Sequence, residues 1–231
     1  MSGIEFMRRT LSAALAAGLP LALFTAAAPA RADDTQAWGT ATVNVALGGP
    51  WRIANDLTVR TSDAKGLYEV ENATLLAYKV KTVTLAVGYV HDPNYSHGTF
   101  TAMEHRIRSQ VTVDNFAHIG PVQFTGRMRL ETRWRDNQAG TGWRLRPYLK
   151  ASLPIAGKTK LNLSAEPFIN LDRTGFQKQD GLERMRTQLS ISTPLSKHLS
   201  IEAGYLNQHG FVRNGPDTDD HVATLGLTAN F

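Results

Sequence analysis

The 231 residues contain no cysteine, so disulfides contribute nothing to the fold and no thiolate can hold a metal. Beyond Ala32 no apolar run reaches the roughly 18 residues of a membrane-spanning helix. A 3.6-residue period is almost missing after Ala37, so helices are not expected to build the domain. There is also no block of one charge. The sequence pI is about 9.6, but basic and acidic residues alternate along the same segments, which argues against a phosphate-tracking stripe and against nucleic acid as a partner.

What is present begins with "MRRTLSAALAAGLPLALFTAAAPARA". Arg8 and Arg9 precede a run of small and apolar residues, and Ala30-Arg31-Ala32 closes it as a cleavage site, so residues 1–32 are expected to be a cleaved signal peptide. A membrane anchor is the competing reading. Against it, Leu11 to Ala28 is rich in alanine and broken by Pro20. Without Arg8, Arg9, Arg31 and Glu5 the net charge falls from +5 to +3. The mature chain, 33–231, is long enough for one domain or one closed barrel. Export without cysteine points to a Gram-negative envelope.

From Ala37 onward the sequence keeps a period of two, in eleven segments of about ten residues separated by turn chemistry. They run Trp38–Gly48, Trp51–Ser62, Tyr68–Val80, Thr82–Val90, Met103–Asp114, Val122–Arg135, Trp143–Pro154, Lys160–Leu171, Glu183–Ser192, Leu199–Gln208 and His221–Phe231. Such lengths suit tilted membrane strands. Short links (Lys79 to Thr82, Leu153 to Lys158, Thr193 to His198) alternate with longer polar ones (His91 to Ala102, Asp136 to Gly142, Asp172 to Leu182, Gly210 to Asp220). That asymmetry is typical of outer-membrane barrels. The link from Asn115 to Pro121 is looser than the other short ones. The fold expected is an all-β, antiparallel up-and-down transmembrane barrel of 10 to 12 strands.

The segment "GRMRLETRWRD" carries the argument furthest. Arg127, Arg129, Glu131, Arg133 and Arg135 fall on one face, and Met128, Leu130, Thr132 and Trp134 on the other. Glu104, Arg106 and Arg108 repeat the charged face in the preceding segment, and Arg144, Arg146 and Lys150 in the following one. Water inside and lipid outside would suit both faces, so these eleven charged residues are expected to face the bore. Glu69, Glu71, Glu166, Glu183 and Glu202 offer acid from more distant strands. In so narrow a barrel the long side chains would meet across the bore. They would form either a salt-bridged plug or a narrow passage that favours anions. Trp38, Trp51, Tyr89, Trp134, Trp143 and Tyr205 lie near segment ends and are expected to form interfacial girdles.

Ala223, Leu225, Leu227, Ala229 and Phe231 form an apolar file finishing on phenylalanine. It resembles the signature that outer-membrane proteins present to the barrel assembly machinery, and Phe231 is expected to be that assembly signal. One feature conflicts with an even-stranded barrel. Counting back from Phe231 in the periplasm starts the first segment outside, so either ten strands close and the first stays apart, or twelve do.

The order of Trp38, Arg60, "GYVHDP", "EHRIRSQ", "RMRLETRW", "RLRPYL", "AEPFINL", "ERMRTQL", "EAGYLNQ" and a final Phe resembles the proteobacterial outer-membrane family known as domain of unknown function 2490. The resemblance spans nearly all of the mature chain. It implies a β-barrel in the cell outer membrane and no particular substrate.

Other residues offer chemistry. "HDPNYSHGTF" (His91 to Phe100) gathers His, Ser, Tyr and Asp, but on a Gly- and Pro-containing connection without the fixed geometry a nucleophile and its base need. It is read as a solvated external loop, and the chain as no enzyme. A metal site could be sought among His91, Asp92 and His97, or among Asp217, Asp219, Asp220 and His221. The second set has hard oxygen ligands that could hold a surface divalent cation but lacks the loop spacing of a defined calcium motif, and acidic external loops are common, so no metal and no cofactor is expected. The partners expected are outer-membrane lipid and, during biogenesis, the barrel assembly machinery and periplasmic chaperones, with the folded chain a monomer. Two other readings stay open: an outer-membrane hydrolase acting on lipid or lipopolysaccharide through the His91 to Phe100 loop, and a soluble periplasmic ligand-binding barrel.

Overall fold

Alternating side chains separated by tight turns give one strand after another. The structure, a computed structural model, describes residues 32–231, so the expected signal peptide lies outside the described residues except for Ala32, which opens the first strand. The strands are β1 (Ala32–Gly48), β2 (Trp51–Ser62), β3 (Gly66–Val80), β4 (Val83–Ser96), β5 (Thr99–Ile119), β6 (Val122–Arg135), β7 (Gly142–Ala156), β8 (Thr159–Asn170), β9 (Gly181–Pro194), β10 (Leu199–Gly210) and β11 (Thr218–Asn230). No helix occurs among the described residues.

All eleven strands close into one barrel. Consecutive strands pair antiparallel, whereas β1 pairs with β11 in parallel, from Thr35 opposite His221 to Asn44 opposite Asn230. The parity expectation is therefore corrected. No strand stands apart and none is missing, because the parallel seam lets an odd number close. The start of β1 sits at the long-loop end and Phe231 at the short-turn end. There the Phe231 N–H donates to Asn44 O and its carbonyl accepts from Ala46 N, both at 2.8 Å.

Three other expectations change. His91 to Ala102 is not a loop: β4 and β5 continue through it as a hairpin, with Pro93 opposite Met103 and Ser96 opposite Thr99. Most of the Asn115 to Pro121 link, through Ile119, belongs to β5, where a bulge between Val113 and Ala117 accompanies Asn115 at φ 50° before a tight turn at Gly120 and Pro121. Trp38 is in no girdle. It occupies an inward position and is 8% exposed.

The wall inverts the polarity of a soluble protein. Val87 and Leu225 are each 51% exposed, and their outward neighbours are largely apolar, while Arg108, Glu104, Glu131 and Asp92 are among the most deeply buried side chains. Outward Trp51 meets Tyr78 edge-on at 4.9 Å near the short turns. Toward the long loops, His105 stacks on Trp134 at 5.6 Å and His221 on Tyr205 at 5.9 Å.

Two inward glycines sit on nearly opposite sides of the ring, Gly88 on β4 and Gly204 on β10. A Cβ at Gly88 would lie 2.0 Å from Thr74 O, and one at Gly204 would lie 2.4 Å from Leu189 O. The backbones approach too closely there for any side chain, so these positions let the sheet bend sharply enough to close.

Candidate functional site: the charged bore

The bore is built on two carboxylates at its centre. Glu131 on β6 is 0% exposed. Its Oε2 accepts from Arg144 Nε (3.0 Å) and Nη2 (2.6 Å), and its Oε1 from Arg146 Nη1 (2.9 Å) and Arg108 Nε (3.3 Å). Glu104 on β5, also 0% exposed, accepts from Arg106 Nε at 2.6 Å, from Arg133 Nε and Nη2 at 2.9 and 3.1 Å, and from Arg135 Nη2 at 2.9 Å. Each glutamate thus gathers three guanidinium groups, Glu131 from the two neighbouring strands and Glu104 from its own strand and β6. The period-two pattern dictates this, since residues two apart on one strand and opposite on the next share the inner face.

Acids from farther strands complete the lattice. Glu71 on β3 accepts from Arg106 Nη1 and Arg108 Nη2, both at 2.8 Å. Glu166 on β8 accepts from Arg146 Nη2 at 2.9 Å and also pairs with Arg127. Asp92 pairs with Arg106, and Glu69 with Arg60. Strands β3 to β8 are therefore tied by a continuous chain of ion pairs. Such lattices add little net stability over apolar packing, but removing one member strands a charge and costs about 3 to 5 kcal/mol.

Aromatic rings brace the arginines from the faces the carboxylates leave free. Phe168 on β8 lies under Arg146 (4.1 Å) and Arg186 (4.5 Å), and Trp38 is flanked by Arg60 and Arg186, each at 4.5 Å. At the long-loop end, residues 171–180 fold over the bore. Gln177 in that segment is 2% exposed. Its Nε2 donates to Asp172 Oδ1 at 2.6 Å, and its Oε1 accepts from Arg133 Nη1 at 2.9 Å. Beside it, Phe176 covers Arg133 and Arg135 at 5.4 and 5.7 Å. Farther out on this segment, the hydrogen bond from Arg173 to Asp180, 2.6 Å long, holds the aspartate below the usual carboxylate range.

The remaining space is divided. A cavity of about 320 Å³ at the short-turn end ends against Trp38, Arg60 and Arg186. A second of about 180 Å³ lies among the arginines, sharing Arg60 and Arg186 with the first. A third of about 310 Å³ at the long-loop end shares Arg133, Phe176, Glu183 and Arg184 with the second. Side chains common to neighbouring cavities mark two constrictions.

Among known proteins, the family model described as "Protein of unknown function (DUF2490)" matches residues 35–219. The chain belongs to that family. An uncharacterised protein of Methylorubrum extorquens is 24% identical over 207 residues, which covers 86% of this chain and 89% of the relative. Among solved structures, the anion-selective porin from Comamonas acidovorans aligns with 80% of this chain and 55% of its own at 14% identity and a TM-score of 0.39. The chain spans about half the length of that porin.

The structure brings Glu104, Arg106, Arg108, Arg127, Arg129, Glu131, Arg133, Arg135, Arg144 and Arg146 together on the inner face. Lys150 lies apart, half-buried beside Thr125 and Ser164 nearer the short turns, with no ion pair among the described residues. Sequence reasoning missed Trp38, Phe168, Arg186 and Gln177. The first two carry a readable signal, a lone aromatic in an otherwise polar inward file: Gln36, Trp38, Thr40 in β1 and Ser164, Glu166, Phe168, Asn170 in β8. Arg186 continues the same alternation in β9. Gln177 has no such signal, because it sits in a segment without period.

Neither set of residues considered for catalysis or metal binding assembles as a whole. Asp92 points into the bore and His91 outward, and His97 occupies the hairpin turn at φ 50°. Asp217 and Asp219 converge on His209, at 3.5 and 3.0 Å, while Asp220 turns inward to Gln208 and His221 outward to Tyr205.

Proposed function

We propose that this chain is an integral outer-membrane β-barrel, exported on a cleaved signal peptide and inserted with the aid of the barrel assembly machinery through Phe231. Its bore is braced by the arginine–carboxylate lattice and passes nothing larger than small solutes. The observation that carries this reading is the inverted wall, greasy outside and ionic within. A soluble ligand-binding barrel would need the opposite, since burying apolar surface is what drives folding in water. In a bilayer the outward Val, Leu and Trp are at no disadvantage, and a closed barrel leaves no backbone group unpaired against lipid. The hydrolase reading loses ground because His91 and Asp92 point to opposite sides of the wall.

Two measurements test the proposal. Detergent-extracted protein should migrate faster unheated than boiled on a gel and should fractionate with outer membranes; recovery in the soluble periplasmic fraction refutes the membrane assignment. In planar bilayers the purified barrel should show no large, steady openings. Wide-pore conductance would refute a braced bore and leave the membrane assignment intact.

A further inference from the structure

The lattice does not balance. Among the described residues seven arginines are buried in the bore (106, 108, 129, 133, 144, 146 and 186) against five acids (Glu71, Asp92, Glu104, Glu131 and Glu166). Five of the seven reach a carboxylate. For Arg129 and Arg186 no carboxylate lies within ion-pair distance among the described residues; each gives its Nε to a glutamine, Gln110 or Gln208, at 2.9 Å. A buried cation with only neutral partners has lost its hydration without full return.

The two are placed differently. Arg129 borders none of the three bore cavities, whereas Arg186 borders the 320 Å³ cavity at the short-turn end. Arg186 is 8% exposed and held on three sides. Its guanidinium lies over the rings of Trp38 and Phe168 at 4.5 Å each, and Gln208, itself fixed by donating to Asp220 at 2.6 Å, takes the Nε hydrogen. Its two Nη groups make no hydrogen bond among the described residues. They form the edge of a guanidinium that matches two oxygens of one anion at once.

We propose that this cavity is a binding site for a small soluble oxyanion, a carboxylate or phosphate, seated on the free edge of Arg186. The surroundings suit such a ligand. Thr58, Ser164, Gln188 and Thr224 line the cavity with hydrogen-bonding groups, and its volume is at the small end of ligand pockets. Two acids also line it. Glu166 is already matched by Arg127 and Arg146, and Glu202 accepts from Ser190 Oγ at 2.7 Å. Glu202 lies opposite Ser192, six residues along β9 from Arg186, so it flanks the seat without occupying it. The site requires only the closed barrel, and its failure would leave the membrane assignment untouched.

Calorimetric titration of the folded barrel in non-ionic detergent and low-chloride buffer tests it, with inorganic phosphate and citrate as separate probes. The parent should bind at least one of them saturably. Arg186→Gln should weaken that binding about tenfold or more, since a bidentate charged contact is lost. Thr224→Trp should abolish it by filling the cavity while keeping the arginine and its charge, and decides the matter if the arginine variant does not fold. Arg173→Gln, in the exposed loop, should bind as the parent does. Absence of saturable binding by the parent, or binding that survives Arg186→Gln or Thr224→Trp, overturns the proposal.

Discussion

Replacing Glu131 by glutamine removes one charge and changes no volume, so it tests whether the lattice holds the bore together. The carboxylate accepts four hydrogen bonds from Arg108, Arg144 and Arg146. A glutamine keeps one oxygen and turns an amide nitrogen, itself a donor, toward guanidinium donors, so about half of these contacts become repulsive. The three arginines do not suffer equally. Arg108 keeps Glu71 at 2.8 Å and Arg146 keeps Glu166 at 2.9 Å, but Arg144 keeps only Glu183 at 3.9 Å. Arg144 is the stranded charge. The expected loss is about 3 to 5 kcal/mol, the cost of breaking a buried pair from one side, read as a shift in the urea midpoint of the barrel refolded into lipid vesicles. Adding Arg144→Met removes the orphan and should return part of the loss, a coupling of about 1 to 3 kcal/mol. A Glu131→Gln barrel within about 0.5 kcal/mol of the parent, or strictly additive single changes, would show the lattice to be a set of solvated pairs and refute the reasoning.

Three further outcomes follow from the wall. Val87→Arg, outward between the girdle residue Tyr89 and the lower strand end, should cost about 2 to 4 kcal/mol of insertion into lipid; normal membrane assembly of this variant would reverse the face assignment. Deleting Phe231 removes two backbone bonds of the seam and a ring stacked on His198 at 5.9 Å, and should lower folded yield in cells more than refolding into detergent, equal losses assigning the residue to seam stability alone. Gly88→Val, whose Cβ would meet Thr74 O at 2.0 Å, should prevent the heat-modifiable folded form, whereas Gly39→Ala, with nothing within 4 Å, should leave it intact.

How far such features could be read beforehand depends on the range of the physics behind them. The two faces of "GRMRLETRWRD" are local, since alternation along one strand determines which side chains meet water and which meet lipid. Pairing between adjacent strands follows from order alone. Which acid meets which arginine across several strands does not: Arg127 reaches Glu166 two strands away, and Arg106 gathers Glu71, Asp92 and Glu104 from three. Those matches depend on stagger around the ring, which no single segment encodes. The hairpin at Ser96 was hidden for a different reason. Its His, Asp, Pro, Asn and Gly look like loop chemistry, yet the ladder beneath it continues because Asp92 is held inside by Arg106.

Ring closure depends on stagger in the same way. An even barrel brings its first and last strands together antiparallel, and an odd one can join them only in parallel. Here the joined strands suit that arrangement. The lattice runs from Arg60 on β2 to Glu183 on β9 and, among the described residues, puts no ion pair on β1 or β11, and the inner faces at the seam carry short polar side chains: Thr40 hydrogen-bonds Thr58, Thr42 reaches Asp56, and Asn44 meets Asn230. No buried arginine stands on β1 or β11. Large charges at a parallel seam would have to match partners across an evenly slanted ladder, whereas hydroxyls and amides adjust by rotation alone. The one large group on the seam's inner face is Trp38, whose ring takes both Arg60 from β2 and Arg186 from β9 at 4.5 Å. The ring is thus braced by ion pairs along one arc and, where the first and last strands meet, by a single indole in contact with two cations.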